Sequence, residues 1–181
     1  VALVVHHERR WWAKHQEVQQ FIGSGALGPV RGVLISCGGA RLGDIAPHFV
    51  DWCRWIVGSE IDHVVGYLDQ ITDINPRDPG GTLGFKDHPG YVHLTFANGV
   101  RAGIDLSQGV ALPPEYRVVC DYGRIFIKEY RDDLGNFRAH VEIHARPDRD
   151  RIDIVAARDY YENNGLLEQI NLSESDIGTY A

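Results

Sequence analysis

Apolar residues recur first at helical spacing and later at every second position. Trp11, Val18, Phe21 and Ile22 form a helical stripe with His15 in line with it, and Gly23 is the expected stop. Val1 to His7 ahead of it and Val30 to Ser36 after it read as strands. Glycines at 38, 39 and 43 then loosen the chain before a second helix, expected from about Ile45 to Val57 and ended by Gly58. Its stripe of Phe49, Trp52, Cys53 and Ile56 falls at i, i+3, i+4 and i+7. Pro47 is compatible with this helix because it sits in the first turn, where no intrahelical N–H bond is lost.

Beyond Gly58 the period becomes two. Val64 to Ile74 is a candidate strand. Tyr91 to Phe96 alternates, turns at Asn98-Gly99 and returns as Val100 to Leu106, a strong hairpin signal because that dipeptide tolerates the positive φ a tight turn needs. Tyr116 to Cys120 and Arg124 to Tyr130 close around Asp121-Tyr122-Gly123, and Phe137 to Ala145 alternates after a turn at Asp132 to Asn136. Two helices followed by a meander predict an α+β fold: an open, mostly antiparallel sheet with the helices packed on one face. The opposite face carries Tyr91, His93 and Thr95 in one strand and His140, Glu142 and His144 in another, too polar for a second core. Solvent or a partner subunit is expected to cover it.

Composition narrows the partners. With 44% apolar residues in 181, one domain with a sizeable core is expected. The 18 Lys and Arg are scattered against 25 Asp and Glu, for a net charge of −7, so nothing tracks a phosphate backbone and no nucleic acid is expected. No apolar run is long enough for a membrane span and no signal peptide is recognisable, which leaves no membrane partner and a cytoplasmic setting as the default. Cys37, Cys53 and Cys120 are odd in number and far apart, and read as reduced core thiols. There is no methionine, even at position 1, so the chain reads as a piece of a longer protein.

Gly23-Ser24-Gly25-Ala26-Leu27-Gly28 fits G-x-G-x-x-G, but it follows a helix and precedes a strand. A dinucleotide loop needs the reverse order, with amides of a helix N-terminus facing the pyrophosphate, so the segment reads as a helix stop and turn, and cofactor-binding residues are expected to be absent from this chain. Asp44, His48, Asp51 and Trp55 stand at i, i+4, i+7 and i+11, on one helix face beside the apolar stripe. In the first turn the helix dipole disfavours a charged imidazole, so His48 can accept a proton while Asp44 fixes its tautomer. The plain alternative makes Asp44 an N-cap and His48 a surface residue. A metal site of Asp44, His48 and Asp51, serving a hydrolase, is a further alternative, although nothing elsewhere completes a ligand set and no metal is expected. His15, within an apolar stripe, reads as a packed core residue.

Arg9-Arg10-Trp11-Trp12, the helix to Phe21-Ile22, Gly25-Ala26-Leu27-Gly28-Pro29-Val30, Asp44-Ile45-Ala46-Pro47-His48-Phe49-Val50-Asp51 and Trp55-Ile56-Val57-Gly58 together resemble the C-terminal domain of the Gfo/Idh/MocA oxidoreductases. Phe96 to Val100 and Tyr122 to Ile125 agree in order, so the likeness spans roughly residues 1–130, and its most specific part is D-x-x-x-H-x-x-D. The resemblance implies a two-domain enzyme in which a Rossmann domain binds NAD or NADP and residues 1–181 form a single C-terminal substrate and oligomerisation domain. The Rossmann domain, its Glu-Lys-Pro lysine and the family's closing segment are absent from this chain. By resemblance His48 is the catalytic proton acceptor and Asp44 the acid before it, while Arg10 and Asp51 are candidates for substrate contact. The implied substrate is a sugar, polyol or related hydroxylated small molecule, and a homo-oligomer through the open sheet face is implied. A non-enzymatic binding or assembly domain of the same fold is the rival reading, and the chain alone is expected to be inactive.

Overall fold

Two antiparallel meanders are joined into one sheet by a strand that comes early in the chain. The computed structural model describes residues 5–70, 87–106 and 112–145, with the backbone of strands at 168–171 and 175–176. A 3-10 turn, Glu8–Trp11, leads into helix α1, Ala13–Gly23. Strand β1, Val30–Ser36, and helix α2, Ala46–Val57, follow, and then β2, Ile61–Leu68, β3, Gly90–Phe96, and β4, Arg101–Asp105. Strands β5, Glu115–Cys120, β6, Gly123–Arg131, β7, Phe137–Ala145, β8, Glu168–Asn171, and β9, Ser175–Asp176, complete the order. The sheet runs β2-β3-β4-β1-β5-β6-β7-β8, with β9 also pairing β7. Among the described strands only β1 against β4 is parallel, in the register Val33 to Ala102 and Ile35 to Ile104, and the other pairings are antiparallel. The α+β expectation holds.

Alternation sorts the strands into two faces. Val33, Ile35, Leu94, Phe96, Ala102, Ile104, Val118, Ile125, Ile127, Val141 and Ile143 are buried with Phe49, Trp52, Cys53 and Ile56 of α2 in one core. The α2 stripe is the one the spacing predicts, and the helix ends at Gly58, whose left-handed φ of 63° lets its amide reach Arg54 O at 2.9 Å. On the opposite face Tyr91, His93, Thr95, His140, Glu142 and His144 remain partly open. Shallow depressions of about 300 and about 350 Å³ lie there, around Tyr91 and Phe126 and between Arg124 and His144. The three thiols are buried, and no helix among the described residues is long and apolar enough to cross a membrane.

Local details differ from the sequence reading. Trp11 is 65% exposed whereas Trp12 is 4% exposed. Trp11 belongs to the 3-10 turn, and Trp12, extended at ψ 129°, breaks the helical phase between turn and helix, which swings the second ring inward. The Asn98-Gly99 hairpin forms as expected, with Gly99 at φ 84° and its amide on Phe96 O at 2.8 Å. Val5 to His7 do not form a strand, and Val1 to Val4 lie outside the described residues. The candidate strand from Val64 begins earlier and ends sooner, at Ile61–Leu68; Ile71 to Ile74 lie outside the described residues.

Candidate functional site

The start of α2 gathers the residues singled out from the sequence. A turn over 42–45 precedes the helix, and Ile45 N already bonds back to Arg41 O at 3.1 Å. The helix proper starts at Ala46, within one residue of the expected start, the N-cap is Ile45 without a side-chain bond, and Asp44 stands ahead of the cap. The N-cap role considered for Asp44 is thereby excluded.

His48, in the first turn, is half-buried and packs edge-on to His7, with ring centroids 5.5 Å apart. Its Nδ1 is closed off from water with no hydrogen-bond partner among the described residues. Asp44 does not hold that nitrogen. An imidazolium needs acceptors for both N–H groups, and an orphaned Nδ1 disfavours it. Burial first, and then the positive charge of Arg9, hold the His48 pKa below its ordinary value, against the opposing pull of Glu8 and Asp44.

Arg10 and Asp51 come together, though with each other. Arg10 Nε and Nη2 donate to Asp51 Oδ2 and Oδ1 at 2.6 and 2.8 Å, a bidentate pair that ties the 3-10 turn to α2. Asp51 is slightly desolvated, yet its bonds to Arg10 hold its pKa below the usual value. With that carboxylate engaged, Asp44, His48 and Asp51 do not make a metal site, and no ligand cluster of three or more occurs among the described residues.

Directly beneath lies a buried polar network that the sequence reading missed. Arg9 Nε donates to Tyr116 Oη at 2.6 Å and to Glu129 Oε1 at 3.0 Å, and Arg9 Nη2 donates to Glu129 Oε2 at 3.1 Å. Tyr116 in turn donates to Glu129 Oε1. Trp52 Nε1 donates to His15 Nδ1 at 2.9 Å, which leaves the His15 proton on Nε2, 3.2 Å from Glu129 Oε1. His15 is thus the packed core residue expected. The Arg9 guanidinium also stacks over Trp12 and Phe49, with Cζ 5.1 and 4.8 Å from the ring centroids. One signal was available: after Ile125 and Ile127, Glu129 is the next inward position of β6, and a carboxylate there needs a partner.

The glycine-rich segment does not fit a dinucleotide. It leaves α1 and enters β1, with Gly25 and Gly28 at φ 73° and 71°, so no helix N-terminus faces it. A Cβ on Gly28 would stand 2.9 Å from the Tyr122 ring, so that glycine serves packing against the β5–β6 turn.

No curated protein matches the chain in sequence. Residues 34–126 match the family described as the GFO/IDH/MocA C-terminal domain. Among solved structures, the aldose-aldose oxidoreductase of Caulobacter crescentus complexed with glycerol is 20% identical, covering 83% of this chain and 49% of that one at a TM-score of 0.59. An oxidoreductase from Agrobacterium radiobacter in complex with NAD+, L-tartaric acid and magnesium is 19% identical, covering 80% and 44%, at 0.55. A candidate NADPH-dependent oxidoreductase from Desulfitobacterium hafniense is 11% identical, covering 98% and 51%, at 0.69. The chain therefore spans about half the length of these structures and shares their fold. With the family match covering more than half of its residues, and with the helix-backed open sheet, the chain belongs to the GFO/IDH/MocA C-terminal domain family.

Proposed function

We propose that this chain is the substrate-side domain of an oxidoreductase acting on a sugar, polyol or related hydroxylated small molecule, with His48 as the proton acceptor. The observation that carries the reading is His48 itself: a half-buried imidazole in the first turn of α2, deprived of a partner at Nδ1 and biased towards the neutral form. Oxidising a secondary alcohol requires a base for the hydroxyl proton, and a neutral imidazole meets that need. The hydride acceptor is a nicotinamide cofactor, NAD or NADP, carried by a Rossmann domain outside this chain. Asp44 assists His48 electrostatically, because its carboxylate favours the imidazolium that forms as the proton arrives. Arg10 and Asp51, locked to each other, fix the 3-10 turn against α2 and border the site. The outer face of the sheet joins copies of the protein. The relatives named above, which include an aldose-aldose oxidoreductase and an NAD+ complex, support the substrate class and the cofactor.

The test is made on the full-length protein, following nicotinamide reduction with a panel of aldoses and polyols. His48→Ala is expected to lower kcat by about 10²- to 10⁴-fold, the usual contribution of a positioned acid or base, with folding intact. Near-normal kcat across neutral pH in that variant would exclude His48 as the base.

A further inference from the structure

Asp87 is 8% exposed and belongs to none of the motifs read from the sequence. A carboxylate so far from water needs donors. Gly43, in the turn ahead of α2, supplies one: its amide donates to Asp87 Oδ1 at 2.7 Å. Leu42 N donates to His88 O at 2.9 Å, so two successive amides of that turn are held by two successive residues ahead of β3. The stretch 87–90 is itself anchored to both neighbouring strands. His88 Nδ1 is bonded to Asp69 O at 3.0 Å, Asp69 N donates to Pro89 O at 3.0 Å, and Leu106 N donates to Gly90 O at 2.8 Å. The fit at Gly43 is close: a Cβ there would stand 3.1 Å from Asp87 Oδ1 and 3.2 Å from both Cγ and Oδ2. The carboxyl therefore lies against the backbone where any other residue would place a side chain.

We propose that Asp87 is a positioning residue for the site at the start of α2: by holding Gly43 it fixes the turn that carries Asp44 and launches the helix that presents His48. This rests on the reading of His48 as the base. The path between the two residues is continuous backbone. Asp44 follows Gly43 directly, Ile45 N donates to Arg41 O at 3.1 Å, and His48 N donates to Ile45 O at 3.0 Å. No side chain caps α2, so its first turn takes its place from the turn ahead of it. That turn follows Gly38 and Gly39 and contains Gly43, residues that leave the backbone free to wander unless it is tied. A bond from an amide to a carboxylate is a strong tie, and a base displaced by a fraction of an ångström loses rate.

The experiment is amide hydrogen exchange on the full-length protein, paired with kinetics on the aldose or polyol that the wild type oxidises. In Asp87→Ala the amides of Ile45 and His48 are expected to exchange about tenfold faster, while those of β7 stay as in wild type. Asp87→Asn, which keeps an acceptor for Gly43, should restore most of the protection. Well below the melting transition, kcat should fall about tenfold in Asp87→Ala with KM little changed, and Asp87→Asn should recover it. In a His48→Ala background the same substitution should add little, because the group being positioned is gone. If Asp87→Ala does not fold, Asp87→Ser, whose hydroxyl is too short to reach Gly43, makes the same comparison. Unchanged exchange at Ile45 and His48, an equal rise throughout β7, a wild-type kcat in the folded variant, or a full further loss in the His48→Ala background would each overturn the proposal. The exchange needs no substrate, so it is decided separately from whether His48 is the base, which His48→Ala alone answers.

Discussion

Glu129 stands where the alternation of β6 calls for a third apolar side chain, and its neighbours make that position tenable. Four groups converge on it, Arg9, Tyr116 and His15 directly and Trp52 through His15, all of them buried. Removing one partner leaves an uncompensated buried charge, so Glu129→Ala should cost about 3–5 kcal/mol in denaturant unfolding, far more than truncating an exposed pair such as Arg54 with Glu60. Burial by itself would raise the Glu129 carboxyl, but the neighbouring His15 imidazole and the bonds and charge of Arg9 outweigh it and the pKa lies below the ordinary value. Such a group contributes stability that is present above the unfolded value of about 4.3 and is lost as pH falls through the lower folded value. Melting temperature should therefore drop more steeply below about pH 4 in the wild type than in Glu129→Gln, and parallel profiles would show that this carboxylate is not the acid-sensitive group. For the base role proposed for His48, the acid limb of kcat/KM should lie below the ordinary histidine value of about 6.5. Of these residues His15 was legible as core because its neighbours in sequence are apolar at helical spacing. Arg9 was not, since its partner lies 120 residues away and no local pattern pairs them.

At the scale of elements, turns and stripes were readable while phase and junctions were not. The α2 stripe and the Asn98-Gly99 turn follow from short-range chemistry: apolar residues at i, i+3, i+4 and i+7, and a glycine free to adopt positive φ. The Trp11–Trp12 exchange arises because a 3-10 turn precedes α1, and such a turn leaves no periodic signature. The β5–β6 junction gives a sharp test. A Cβ on Gly123 would collide with the backbone oxygen of His144 and stand 2.9 Å from Leu27 Cδ2, so the chain itself must move to admit it. Gly123→Ala should destabilise by about 1–3 kcal/mol, as overpacking does. Gly25→Ala, at φ 73° with open space around it, should cost only the left-handed backbone penalty of about 1–2 kcal/mol. Thermal melts of the two variants separate crowding from backbone strain.

Over the whole molecule, the two sheet faces have different fates. One is closed by the helices; the other keeps Leu34, Val119, Tyr91 and Phe126 among histidines, arginines and carboxylates, a mixture suited to a partner surface. Light scattering of the full-length protein should find a dimer or larger assembly, and an arginine at Leu34 or Val119 should shift it towards monomer while leaving the fold intact. A monomeric wild type at micromolar concentration would remove the assembly role from this face. The sequence marked this face by its polar alternation, but it could not reveal which strand lies at the centre, because the parallel pairing of β1 with β4 joins residues with no turn between them. That placement has a consequence for how the chain acquires its structure. The β3–β4 hairpin and the β5-β6-β7 meander can each form from nearby residues, whereas β1 meets Ala102 on one side and Val118 on the other, both far along the chain. Neither half reaches the other until β1 is seated between them, so β1 acts as a late-closing clasp with a high loop-closure cost. Folding of the sheet should accordingly be paced by Val33 and Ile35, whose truncation to Ala should slow refolding more than an equally destabilising truncation of Val141 at the far side of the meander.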